Sequence, residues 1–172
     1  GDGEIIEAFR LKRDEHGNSV EAIAPNGSIE ETDRLRRRYV YDGFGLFVNY
    51  VDVLVEEGYV LRRSQQYEYD FQNTTDVTDW VLILNGEEAS PRNERHYQYD
   101  DFGRMVKAYE PGDKDETPSR EWSYDLGEPF SVIEMRKRTE RNGAIDEVTV
   151  QCHDGRGKLY QTRNTIEPGR YI

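Results

Sequence analysis

Tyr97-Gln98-Tyr99-Asp100-Asp101-Phe102-Gly103-Arg104 is the stretch on which the fold turns. Tyr97 and Tyr99 stand two apart, so in an extended chain both rings share one face while Gln98 takes the other. Asp100 can then begin a reversal, because its carboxylate accepts hydrogen bonds from backbone N–H groups just beyond it. Gly103 supplies the positive φ that closes a short loop without steric cost. Alternation resumes over Arg104-Met105-Val106-Lys107-Ala108-Tyr109 and stops at Pro111-Gly112, where no positive φ is expected. The segment predicts a β-hairpin with Asp-x-x-Gly at its tip.

Five relatives of this unit occur elsewhere: Asp14-Glu15-His16-Gly17, Tyr39-Val40-Tyr41-Asp42-Gly43-Phe44-Gly45, Tyr67-Glu68-Tyr69-Asp70, Trp122-Ser123-Tyr124-Asp125-Leu126-Gly127 and Gln151-Cys152-His153-Asp154-Gly155-Arg156-Gly157. Their aspartates fall at 14, 42, 70, 100, 125 and 154, and a recurrence of this period indicates a repeat architecture. The expected turn-forming pairs are Asp14 with Gly17, Asp42 with Gly45, Asp100 with Gly103, Asp125 with Gly127 and Asp154 with Gly157. Two copies are irregular. Asp70 is followed by Phe71-Gln72-Asn73 with no glycine, and Asp125 reaches its glycine one residue early.

The aromatic-x-Tyr-Asp-x-x-Gly-Arg pattern resembles the YD repeat of RHS-repeat proteins. Tyr97 to Arg104 matches it fully; Tyr39 to Gly45 and Asp154 to Lys158 match with conservative changes, and the resemblance spans roughly residues 9 to 165. Asp154-Gly155-Arg156-Gly157-Lys158-Leu159-Tyr160-Gln161-Thr162-Arg163 is similar to runs in the bacterial toxin-complex branch. The resemblance implies a β-sheet strip that spirals into a shell around a toxin or effector payload, in a secreted or cell-surface setting. It implies no chemistry by the repeats. In that family self-cleavage belongs to a separate Asp-Pro-x-Gly motif, which this sequence lacks, so no catalytic residue is carried over.

Composition fits a thin sheet. Of 172 residues 35 % are hydrophobic and 34 % charged, and mean hydropathy is −0.95, which by itself suggests disorder. Twelve Tyr and six Phe in alternating runs argue instead for strands with one amphipathic face. A net charge of −12 argues against nucleic acid as a partner. The one dense basic run, Arg34-Leu35-Arg36-Arg37-Arg38, is expected to pair across strands with Glu and Asp. Cys152 is the sole cysteine and no apolar run is long enough to span a membrane.

No stretch carries helical periodicity with caps, so the expected fold is all-β: antiparallel up-and-down hairpin repeats forming a curved sheet strip. Residues 1–172 are expected to form a single YD-repeat β-sheet domain, a segment of a larger protein. Expected partners are further repeats of the same polypeptide or associated chains, and an enclosed effector. Residues 4–11 and 19–24 should flank the first turn, and Pro25-Asn26-Gly27-Ser28 should end it. Leu46 to Val55, the longest apolar run, suits a strand covered on both faces. The pattern breaks over Asn73 to Asp79, by a bulge, a register shift or a longer loop. Pro111 to Pro118 reads as a mobile linker, and Asn142-Gly143 as the tip of a two-residue hairpin. The last strand is expected from Lys158 to Thr165, before Glu167-Pro168-Gly169.

Chemistry is sparse. His16, His96 and His153 lack metal-ligand spacing, the acidic Asp113-Lys114-Asp115-Glu116 lacks the glycine and terminal glutamate of a calcium loop, and no nucleophile elbow occurs. The chain is therefore read as a non-enzyme without metal or cofactor. A second reading is a carbohydrate- or cell-surface-binding module, with Tyr41, Tyr69, Tyr99 and Tyr124 as candidate glycan-stacking rings. The competing role for these rings is to pack on one another and hold the sheet together.

Overall fold

The structure is a computed structural model that describes residues 10–23, 36–127, 130–167 and 170–171. The expected strand residues 4–9, the turn at 25–28, Arg34 and Leu35 of the basic run, and Pro168-Gly169 lie outside the described residues. Every regular element among the described residues is a strand, and the pairings are antiparallel. The chain packs as two compact units, residues 1–67 with 76–94, and residues 68–75 with 95–172.

In the first unit β1 (Arg10–Arg13), β2 (Ser19–Ile23), β3 (Arg36–Tyr41), β4 (Val48–Glu56) and β5 (Tyr59–Tyr67) pair in chain order. The alternation that predicted strands also fixes their faces. Arg37 opposes Val53 and Tyr39 opposes Val51 across β3 and β4, and Val51 opposes Arg63 on β5. These side chains share one face, whereas Arg36, Arg38, Asp52 and Arg62 share the other.

The break expected over Asn73 to Asp79 falls instead on a strand, and the departure from the repeat is an inserted hairpin that follows it. β6 (Thr74–Thr78) is a short strand whose last three residues belong to the first unit. The chain then leaves the up-and-down order for β7 (Val81–Leu84) and β8 (Glu87–Glu88), joined at Asn85-Gly86 with φ of 51° and 91°. Consecutive positive φ values are what a tight hairpin turn of the sheet's own twist requires. β7 pairs with the first half of β5, Tyr59 opposite Leu84 and Arg62 opposite Val81. Thr78 Oγ1 accepts from Ser64 N at 2.8 Å, so a side chain continues the bonding where β7 stops. Asp79 N donates to Asn93 O at 2.8 Å and closes the excursion.

The second unit contains the start of β6 and β9 (Glu94–Tyr99) from Arg95 onward, then β10 (Met105–Tyr109), β11 (Arg120–Asp125), β12 (Phe130–Lys137), β13 (Glu147–Asp154), β14 (Leu159–Glu167) and β15 (Arg170–Tyr171). From β9 to β15 each strand pairs with the next. Interior volume is small. Among the described residues the buried apolar side chains are Ala22, Val77, Val81 and Ile83 in the first unit and Ala108, Tyr109 and Cys152 in the second, with Pro118 also fully enclosed.

Three local expectations are corrected. β4 is not covered on both faces: Leu46 is 66 % and Val55 40 % exposed, and the buried residue of the strand is Asp52, held by Arg62 at 2.7 and 2.8 Å. Asn142-Gly143 is not a two-residue tip but part of a longer connection in which Asn142 alone has positive φ, at 54°. Gly112, where no positive φ is expected, has a φ of +87°, in a linker where Asp113 accepts from Glu110 N and Ser119 Oγ.

Candidate functional site

Four of the expected turns share one hydrogen-bond pattern. Gly17, Gly45, Gly103 and Gly157 have φ of 86°, 69°, 73° and 77°. Each donates its N–H to the carbonyl of the aspartate three residues earlier, at 3.1, 3.0, 2.9 and 2.8 Å. The aspartate side chain then caps the loop. Asp14 Oδ1 accepts from His16 N and Asn18 N, Asp100 Oδ1 from Phe102 N and Arg104 N, and Asp154 Oδ1 from Arg156 N and Lys158 N, all between 2.8 and 3.0 Å. Asp42 bonds Leu46 N at 2.8 Å in the same way. The hydrogen bond and charge of Arg104 hold the Asp100 carboxyl below the usual carboxylate range, with the backbone donors adding to the effect.

The irregular copies differ. At the third turn Glu68 N donates to Asn73 O at 2.9 Å and Gln72 takes the positive φ of 60°, so the reversal starts two residues before Asp70. Gly127 lies outside the left-handed region, although Asp125 does end its strand.

The turns are also tied to their neighbours. Asn18 Nδ2 donates to Gly45 O at 2.9 Å in the first unit, and Asn73 Nδ2 to Gly103 O at 3.0 Å in the second. Tyr41, Tyr99 and Tyr124 repeat a second tie: each phenol donates to a carbonyl near the start of the strand after an earlier turn, at Ser19, Thr74 and Met105, over 3.3, 2.8 and 2.7 Å. Burial pushes the Tyr99 and Tyr124 phenols up. Arg104 lies 4.6 Å above the Tyr124 ring. Tyr69 is 52 % exposed.

A groove of about 290 Å³ opens on the first unit, lined by Arg37, Tyr39, Val51, Arg63, Gln65 and Trp80. The repeat strands β3, β4 and β5 supply five of these residues by register. Trp80 comes from the inserted segment and is 47 % exposed. On the opposite face Arg36 and Arg38 approach Glu21 at 3.2 and 3.8 Å, and Arg62 grips Asp52. A second groove, of about 280 Å³, lies on the second unit and is lined by Lys107, Glu121, Trp122, Glu134 and Arg136 among others. The repeat motif contributes one aromatic to each groove, Tyr39 and Trp122, but not the charged residues that distinguish them. The alternation within the basic run and the tryptophan after the break could have marked the first.

No group of three metal-binding side chains occurs among the described residues. His16 approaches Glu15 at 3.7 Å, His96 packs on Tyr109 with ring centres 5.6 Å apart, His153 Nδ1 lies 3.1 Å from Gly157 O, and Cys152 is a buried thiol. Among the same residues no helix is long and apolar enough to cross a membrane. No family model matches the chain, and no curated protein matches it.

Proposed function

We infer that the chain is a structural scaffold: a segment of a YD/RHS-type repeat protein, secreted or at a cell surface, that forms part of a shell enclosing or delivering an effector. The observation that carries this reading is the recurrence of one turn with the same bonding at Asp14, Asp42, Asp100 and Asp154. Side-chain ties from turn to turn add to it. Asn18 and Asn73 satisfy a carbonyl of another turn, and Tyr41, Tyr99 and Tyr124 spend their hydroxyls on the backbone. Such a device repeats wherever the chain repeats, and its product within each unit is a solvated sheet with little interior. A non-enzymatic role suits side chains committed to holding strands together.

The alternative is a carbohydrate- or cell-surface-binding module that presents Tyr41, Tyr69, Tyr99 and Tyr124. Tyr69, with half its surface exposed, is the member of that set that favours it. Light scattering coupled to small-angle X-ray scattering on the isolated chain separates the two. The scaffold reading expects an elongated or self-associating particle, and a compact, stable monomer would overturn it in favour of the module.

A further inference from the structure

The two grooves are alike in size and differ in charge balance. In the second, Lys107 opposes Glu121 and Glu121 opposes Arg136 across adjacent strands, and Arg136 also bonds Glu134 at 2.5 Å. Two cations there meet two carboxylates, and the sheet neutralises itself. In the first, Arg37 and Arg63 are exposed, no lining residue is acidic, and no carboxylate pairs with either arginine among the described residues. This occurs in a chain with 35 acidic residues against 23 Lys and Arg, where a carboxylate partner would be easy to supply. Arg36 and Arg38 on the same strand do have one.

The remaining lining chemistry narrows the occupant. Tyr39 and Trp80 offer ring faces, which pack against the C–H face of a sugar. Gln65 offers an amide able both to donate and to accept. A guanidinium pairs with a carboxylate through two parallel hydrogen bonds. The volume of about 290 Å³ sits at the lower end of ligand sites, room for one ring of a longer chain lying across the sheet.

We propose that this groove binds an acidic saccharide, with Arg37 and Arg63 holding the carboxylate of a uronic-acid residue and Trp80 stacking on its ring. The site is independent of the scaffold reading. It depends on the insertion at residues 79–93, because the repeat strands alone supply the cations and the insertion supplies the tryptophan.

The test uses the whole chain carrying Trp122→Phe, which leaves Trp80 as the only tryptophan of two. Titration with a short oligogalacturonate should change Trp80 emission saturably, and the methyl-esterified oligomer, with the same rings and no charge, should not. Arg37→Gln and Arg63→Gln should each weaken binding about tenfold with the melting midpoint unchanged, since both side chains are exposed and unpaired. Lys107→Gln in the second groove should have no effect. A flat titration, or binding that survives the Arg37→Gln/Arg63→Gln double variant, would overturn the proposal. Polyglutamate binding as tightly as the oligosaccharide would also overturn it, by assigning the groove to acidic peptides.

Discussion

In the second unit, one class of connection follows the Asp-x-x-Gly rule and the other follows none. The turns at Asp100 and Asp154 close through bonds between residues no more than four apart. The connections at residues 110–119 and 138–146 have local bonds too, but they also close on each other. Asn142 Oδ1 accepts from Lys114 N at 3.0 Å and from Thr117 Oγ1 at 2.6 Å, its amide donates to Gly112 O at 3.4 Å, and Arg138 donates to Pro118 O. The first kind can form as soon as its own residues are present. The second also needs bonds between residues 20 to 30 apart, with both loops in place together, so it is completed with the sheet.

The largest expected effect tests whether the self-contained turns are truly independent of their surroundings. A Cβ on Gly103 would meet Phe71 at 2.5 Å, whereas a Cβ on Gly157, at nearly the same φ, meets nothing within 4 Å. Gly103→Val should therefore cost about 3–4 kcal/mol, from positive φ plus overlap, and Gly157→Val about 1–2 kcal/mol from φ alone. Equal unfolding midpoints would show that Phe71 moves aside freely and that the Asp100 turn is as isolated as the Asp154 turn. Gly112→Val belongs between them, since its Cβ would meet the mobile end of Arg141 at 2.9 Å.

Asn142→Gly probes the other side of the comparison. Glycine keeps the positive φ and removes the side-chain bonds, so a loss of about 1–2 kcal/mol is expected, with faster proteolytic nicking near Lys114. Unchanged nicking would mean that Asp113 and its partners hold the loop without Asn142. Tyr124→Phe, which deletes one hydroxyl bond to Met105 O, should cost about 1 kcal/mol in chemical denaturation. No change would show that ring packing, rather than the hydroxyl, ties β11 to β10.

The smallest effect is a pH dependence. The folded Asp100 carboxyl lies below the ordinary value of 3.8. A depressed folded value stabilises the charged form, so this contribution is fully present above 3.8 and is lost as pH falls through the lower folded value. Asp100→Asn should lower the melting midpoint at neutral pH, and the difference from the parent should shrink in acid. A constant difference across that window would mean that geometry, not charge, makes the cap.

Tyr97 to Arg104 could be read because the bonds that close its turn run between residues no more than four apart, and those at Asp14, Asp42 and Asp154 span no more than five. Asp70 could not be read by the same rule: without a glycine three residues on, the reversal moved back to Glu68, with Gln72 taking the positive φ. Asn142-Gly143 looked like a hairpin tip, but its asparagine side chain is used at long range. The basic run shows the same division. Alternation placed Arg36 and Arg38 opposite to Arg37, but only the fold set Glu21 beside the first two and left Arg37 in a groove with Arg63 and Trp80.

The sequence by itself determined the strand period, the all-β class and the sites of the repeated turns, because these depend on side-chain alternation and on bonds within about five residues. Tertiary structure decided that a strand fills the expected break and that a hairpin is inserted at residues 79–93, which loops brace each other, and which arginines lack a carboxylate partner among the described residues. Each of those depends on the register between strands distant in sequence, and register is settled only when the whole face is buried or solvated together.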